Sequence, residues 1–244
     1  MFWFLRLFLA HLIADFTLQT NRVFKYKVYN KYGVLIHTSI YLVITILLSI
    51  PYLTSPMCFS YIFILFSLHT IIDLSKIKKI SKSNGIREFL KDQIQHFITL
   101  ISVFLLPQAK EPKYLNLSSP LSFLNRFYNS DYYILLSIGY FFVAFAGTIF
   151  YFYVIKTFGG KNIFYKDGIS IKEKYMEVIL RTIIFITYYI GSFYVSLFVF
   201  IILRILEMII NKTYRNIISF LLILTYDFTF IFSMITFLNA LLGT

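Results

Sequence analysis

Ser67–Phe97, SLHTIIDLSKIKKISKSNGIREFLKDQIQHF, carries the pattern on which the reading of this chain turns. An apolar helix ends in His69-x-x-x-Asp73-x-x-Lys76, a short basic hairpin follows, and the next helix opens with Asp92-Gln93-x-x-His96. Residues four apart on an α-helix lie above one another on one face, so His69 with Asp73, and Asp92 with His96, form two-pronged edges. A tight connection makes the two helices antiparallel neighbours whose edges can meet. Ala10–Thr20, AHLIADFTLQT, repeats the spacing in His11 and Asp15, and His37 is the remaining imidazole of the chain.

The sequence around these edges has the composition of a membrane protein. Of its 244 residues 59% are hydrophobic, 20% aromatic and 14% charged, with a mean hydropathy of +0.75. A soluble domain has about a quarter of its residues charged. Apolar runs of roughly 17–25 residues, the length that crosses a bilayer as a helix, recur along the chain. The predicted fold is all-α, a polytopic transmembrane bundle with spans at 2–19, 33–50, 57–75, 88–106, 132–155, 175–190, 192–210 and 217–242. Residues 1–106 are expected to form a four-helix membrane domain carrying the His/Asp pattern, 107–131 an extracytoplasmic loop, and 132–244 a four-helix C-terminal membrane domain. Pro51 and Pro56 bracket one turn, Pro107, Pro112 and Pro120 punctuate the long loop, and Gly191 marks a tight turn. Gly159-Gly160-Lys161 lacks the rest of a phosphate-binding loop and reads as a turn. The single cysteine, Cys58, excludes an internal disulfide and a cysteine-based metal cluster. The first span holds His11 and Asp15 and lacks a small-residue cleavage site, so it is read as a helix of the mature protein rather than a signal peptide.

The net charge of +12 would suggest nucleic acid in a soluble protein. Here the basic residues sit in short loops, where membrane orientation and anionic headgroups account for them, and no nucleic-acid partner is expected. Arg22, Lys25, Lys27 and Lys31 are in the first loop, Lys76, Lys78, Lys79, Lys82 and Arg87 in the third. Lys156, Lys161, Lys166, Lys172 and Lys174 are in the fifth, and Lys212 and Arg215 in the seventh, whereas the even loops hold only Lys110, Lys113 and Arg126. Positive loops face the cytoplasm, which puts both termini outside. At about 1.5 Å per residue, His11, Asp15, His37, His69, Asp73, Asp92 and His96 then share a slab roughly 3–13 Å below the cytoplasmic interface.

Ionisable groups inside a membrane are costly and face a partner or a wet cavity. Imidazole together with carboxylate is a ligand set for zinc first, and for manganese or iron. These seven residues could hold two divalent ions, with Asp15, Asp73 and Asp92 also supplying catalytic carboxylates and one of them left as general base. Lys76 and Lys91 at the interface could bind a phosphate, and Gln19, Gln93 and Gln95 could orient ligands. The competing reading is a hydrogen-bonded polar cluster that fixes helix packing or relays protons. In the second half, Glu177 with Arg181 and Arg204 with Glu207 are helically spaced charge pairs, and Asp227 is alone in the last span. Pairing among them, such as Arg181 with Glu207, competes with a role for Arg181 and Arg204 as a bed for an anionic headgroup. Asp227 either meets one of these arginines or is protonated.

HLIADFTLQT (11–20), His37, HTIIDLSK (69–76) and KDQIQH (91–96) together resemble, in the same order, the motifs of a bacterial membrane family known as domain of unknown function 3307. EVILRTIIFI (177–186) and FIILRILE (200–207) resemble its longer members, with Leu180-Arg181 where a Glu-Arg pair is expected. The family is distantly similar to membrane-bound metal-dependent hydrolases, and the helical His-x-x-x-Asp spacing resembles that of zinc phospholipases C and related nucleases. The resemblance implies a multi-pass protein of the bacterial cytoplasmic membrane. The leading expectation is a metal-dependent hydrolase acting at the cytoplasmic leaflet on a lipid-linked or phosphorylated amphiphile. Membrane lipids, and a second copy or another membrane subunit, are its expected partners. The alternatives are a divalent-cation or proton-coupled transporter or channel, and a non-catalytic membrane subunit or effector.

Overall fold

A computed structural model describes residues 2–77, 85–158, 171–211 and 217–243. The elements are α1 (Phe2–Leu12), which runs on into a π-helical turn (Ile13–Leu18), α2 (Asn21–Tyr29), α3 (Gly33–Leu48), α4 (Pro56–Ile77) and α5 (Ile86–Ile101). They continue as α6 (Phe123–Tyr128), α7 (Asp131–Phe141), a second π-helical turn (Phe142–Ala146), α8 (Gly147–Phe158), α9 (Ile171–Ile190), α10 (Phe193–Asn211) and α11 (Ile217–Leu242). No strand occurs among the described residues. The basic residues Lys78, Lys79, Lys82, Lys161, Lys166, Lys212 and Arg215, the hairpin between α4 and α5, and the turn at Gly159–Gly160 lie outside the described residues.

The chain divides into two compact units, Met1–Phe141 and Phe142–Thr244. In the first, α1 packs against α3, α5 and α7, and α4 against α3 and α5. The core follows helical periodicity. Cys58, Tyr61, Ile62, Leu65, His69 and Asp73 form the buried stripe of α4, and Phe89, Asp92, His96 and Leu100 that of α5. Each polar pair therefore continues a stripe whose apolar members pack the interior, and burial of Ile62, Leu65 and Leu100 carries the His/Asp residues inward with it. At the far end of α1, Trp3 stacks on Tyr52 with ring centroids 4.8 Å apart and donates its Nε1–H to Ser49 Oγ at 2.8 Å. Arg6 is fully buried there, donating to Phe2 O at 2.6 Å and also to Tyr128 O, with its guanidinium over the Phe2 ring. The expected loop at 107–131 contains a 3-10 turn (Pro107–Lys110) and α6. Asn125 and Asn129 clamp its extended part by pairing with the backbone of Leu117 and Leu115.

The all-helical expectation holds among the described residues, and the expected number of spans is met only in part. Among the described residues, three helical segments are long and apolar enough to cross a membrane: Pro56–Ile77, Asp131–Val154 and Leu224–Leu242. Phe2–Leu18 with Asn21–Tyr29 would make a fourth if that bent pair is one span. The eight expected spans are therefore not matched by eight such helices. α3 and α5 have 16 residues each. At about 1.5 Å per residue that is roughly 24 Å, short of the ~30 Å hydrocarbon layer. One expectation is corrected: the first basic loop, 20–32, is mostly the helix α2, turned 90° from α1. Thr20 caps it, its side chain accepting from Val23 N at 3.4 Å. The end of α2 is seated on α3 at Gly33, where an added Cβ would lie 2.0 Å from Tyr26 O and 2.5 Å from Lys27 Cα. Only a residue without a side chain lets the two backbones approach this closely.

The second unit is built from the second π-helical turn and α8 to α11. Buried Ile184, Phe200, Ile231 and Ile235 supply its apolar interior.

Candidate metal centre

Five elements of the first unit bring polar residues into one cluster. α1 contributes His11, its π-helical turn Asp15, α3 His37, α4 His69 and Asp73, and α5 Asp92 and His96. The four histidines, Asp73 and Asp92 are at most 4% exposed, and the Asp15 side chain is 7% exposed. The π-helical turn widens the helix where Asp15 leaves it, a local irregularity common at functional sites.

Asp15 Oδ1 lies 3.4 Å from both His37 Nε2 and His69 Nε2. Asp73 Oδ2 lies 3.5 Å from the same two nitrogens. Each of the two imidazole nitrogens thus faces both carboxylates at a separation that one ion could bridge. On the far side of Asp73, His96 Nε2 is 3.9 Å from Asp73 Oδ1 and 3.7 Å from Asp92 Oδ1. The His69 and His96 rings are 4.1 Å apart, and His11 is 5.2 Å from His96. Tyr41 stacks on His69 at 4.4 Å and fixes its ring plane. Three sets satisfy the spacing of a ligand group: His11, His69 and His96; Asp15, His37 and His69; and Asp73, Asp92 and His96.

These contacts lack hydrogen-bond geometry. Both ring nitrogens of His37 and of His96, His69 Nε2, Asp15 Oδ1, both oxygens of Asp73 and Asp92 Oδ1 are buried without a hydrogen-bond partner, Asp73 Oδ1 being at ion-pair distance, 2.6 Å, from Lys27 Nζ. One such orphan costs about 1–3 kcal/mol, so a concentration of them demands a reason. A cation bound by their lone pairs supplies it, and this donor set of nitrogen and carboxylate oxygen fits zinc, manganese or iron.

The supporting residues are only partly those expected. Gln93 pairs its Oε1 with His11 Nε2 at 3.3 Å and donates from Nε2 to Asp92 Oδ2 at 3.0 Å. With His11 Nε2 as the donor, Nδ1, 3.8 Å from Asp15, keeps its lone pair facing the cluster. Lys76 Nζ is 2.5 Å from Asp92 Oδ2, so its charge is directed at a carboxylate of the centre. Gln19 accepts from Lys27 Nζ at 3.1 Å. Lys91 and Gln95 are exposed on the outward side of α5, and the structure does not bring them to the cluster. Sequence reasoning missed Lys27. It counts there as a topogenic loop charge, yet it is 4% exposed with Nζ 2.6 Å from Asp73 Oδ1. The signal available in the sequence was its place within NRVFKYKVY, a short stretch of helical character after a capping threonine.

Arg181 and Arg204 lie in the second unit, where carboxylates engage both. Arg204 makes a two-pronged pair with Glu177 at 2.9 and 2.8 Å, reaches Glu207 at 2.5 Å and also binds Asp227. Arg181 binds Asp227 and lies 3.7 Å from Glu177. Asp227 thus meets both arginines, and the example pairing of Arg181 with Glu207 gives way to one in which Arg204 takes Glu207.

Fold and centre together define an all-helical protein with membrane-length apolar helices and a buried His/Asp cluster suited to a metal ion. A model of the family described as protein of unknown function (DUF3307) matches residues 3–122, a stretch that contains every residue of the cluster. No curated protein and no solved structure matches the chain.

Proposed function

We propose that the protein is a metal-dependent hydrolase of the bacterial cytoplasmic membrane that acts near the cytoplasmic leaflet on a lipid-linked or phosphorylated amphiphile. The observation that carries this reading is the gathering of unpartnered, buried imidazole nitrogens and carboxylate oxygens from four helices into three overlapping sets with metal-ligand spacing. His37, His69, Asp15 and Asp73 would hold a divalent ion, zinc first, with His11 and His96 beside it. Such an ion acidifies a bound water and screens the charge of a phosphoryl or carbonyl group under attack. Asp92 is oriented by Lys76 and Gln93 through one oxygen while the other faces the cluster, which suits it to take a proton. The basic ends of the first and third helical connections support a cytoplasmic position for this end, with both termini outside and several further helices in the bilayer.

A transporter would need a polar route onward from the centre. What favours the enzyme is that the interior next to the cluster along α1 and α4 is filled by Leu7, Ile62 and Leu65, all buried at 0–1% exposure. Metal analysis of the purified full-length protein tests the reading. The expected result is stoichiometric zinc or manganese after reconstitution, lost in His37→Ala/His69→Ala. Absence of bound metal under every loading condition would overturn it, and metal flux into proteoliposomes would favour the transporter.

A further inference from the structure

Lys27 is the member of the cluster for which a hydrolytic metal centre by itself gives no reason. It enters the buried centre from α2, its position set by the 90° turn from α1 and by the close seat on Gly33. Gln19 holds its ammonium from one side and Asp73 from the other. We propose that the centre holds one divalent ion rather than two, and that the Lys27 ammonium takes the place of the second cation beside Asp73. The proposal rests on reading the cluster as a metal centre.

Asp73 divides its two oxygens. Oδ2 faces His37 and His69, and Oδ1 faces Lys27 at 2.6 Å. A second ion would be held at His96, either with His11 and His69 or with Asp73 and Asp92. Both of those carboxylates already have an ammonium against them, Lys27 on Asp73 and Lys76 on Asp92. Carboxylate-bridged two-metal centres use the bridging oxygen for a metal bond, and here that oxygen is at ion-pair distance from a lysine instead.

Charge counts in the same direction. Asp15, Asp73 and Asp92 bring three negative charges and Lys27 and Lys76 two positive ones, leaving a formal −1 when the imidazoles are neutral, as ligation requires. One divalent ion takes the sum to +1, which a single anionic group on a bound amphiphile matches. Two would take it to +3 in a buried setting, where uncompensated charge is expelled. A lysine with 4% exposure is itself expensive unless its charge is used, and here it neutralises the carboxylate shared between the two half-sites.

The test is metal stoichiometry by elemental analysis on the purified full-length protein, loaded with zinc or manganese and freed of excess. The expected ratio is about one ion per chain for the wild type, rising towards two in Lys27→Gln and staying at one in Lys27→Arg, which keeps the charge. Two ions in the wild type overturn the proposal while leaving the metal centre intact, whereas none overturns the metal centre itself. One ion in both wild type and Lys27→Gln, or two in Lys27→Arg, removes Lys27 from the role. Should Lys27→Gln not be recovered folded, the wild type and Lys27→Arg ratios decide alone.

Discussion

Gly33→Ala is the substitution by which the link between backbone packing and the centre is most directly tested. The added Cβ would lie 2.0 Å from Tyr26 O and 2.5 Å from Lys27 Cα. Both are backbone atoms, so rotating a side chain gives no relief and α2 itself must move. Restoring ordinary contact at 3.4 Å requires a shift of about 1.4 Å, since protein interiors are close-packed and transmit such displacements. The same shift applied to Lys27 Nζ, now 2.6 Å from Asp73 Oδ1, carries it to roughly 4 Å, the limit of an ion pair. Overpacking costs about 1–3 kcal/mol, and breaking a buried ion pair about 3–5 kcal/mol. Because the four-carbon lysine stem can follow part of the movement, we take about 3 kcal/mol as the expected loss. For a chain of this length that corresponds to a fall in Tm of roughly 6–12 °C. Thermal unfolding of the full-length protein in detergent, followed by far-UV circular dichroism, is the assay. A double-mutant cycle with Lys27→Met locates the cause, because an effect transmitted through Lys27 makes the two substitutions non-additive. A Gly33→Ala protein that melts within a degree of wild type, or a strictly additive cycle, would refute the reasoning.

Four further outcomes are expected. Chelation should lower the Tm of the wild type, added zinc should restore it, and neither should move His37→Ala/His69→Ala; a wild-type Tm indifferent to chelator argues against a bound ion. His69→Ala should weaken metal binding at least about tenfold in equilibrium titration, whereas Gln95→Ala, on the exposed side of α5, should leave it unchanged. In the second unit, Asp227→Asn deprives two buried guanidinium groups of a partner and should cost about 3–5 kcal/mol in thermal unfolding. Gly147→Ala, whose Cβ would lie 2.4 Å from both Arg181 Nη1 and Phe230 Cε1, should cost less because both contacts are with side chains rather than backbone.

The chain alone determined a great deal about the centre and less about its surroundings. The four-residue spacing of His69–Asp73 and Asp92–His96 is a statement about one α-helical face and survives folding. The π-helical turn that carries Asp15, by contrast, alters the His11–Asp15 geometry in a way the spacing did not announce. The all-helical class followed from apolar runs because helical geometry is local. How many of those runs form membrane-length helices did not follow, because the ends of α3 and α5 are met by side chains from elsewhere in the chain, Trp3 at Ser49 and Tyr61 at Ser102. Lys27 shows the limit most clearly. As a residue in a basic stretch it is indistinguishable from Lys25 or Lys31, which are exposed. The right-angle turn at Gln19–Thr20 and the close approach at Gly33 aim this one ammonium, and its partner Asp73 comes from a helix 46 residues further along the chain. Which of the second unit's charges pair was likewise open, since several opposite charges lay within helical reach and only packing selected Asp227 for both arginines. Periodicity thus named the faces, because it is set by bonds within one helix. The meeting of those faces, and the cation that joins them, was decided by the tertiary structure, because it depends on how separate helices bury their apolar stripes against one another.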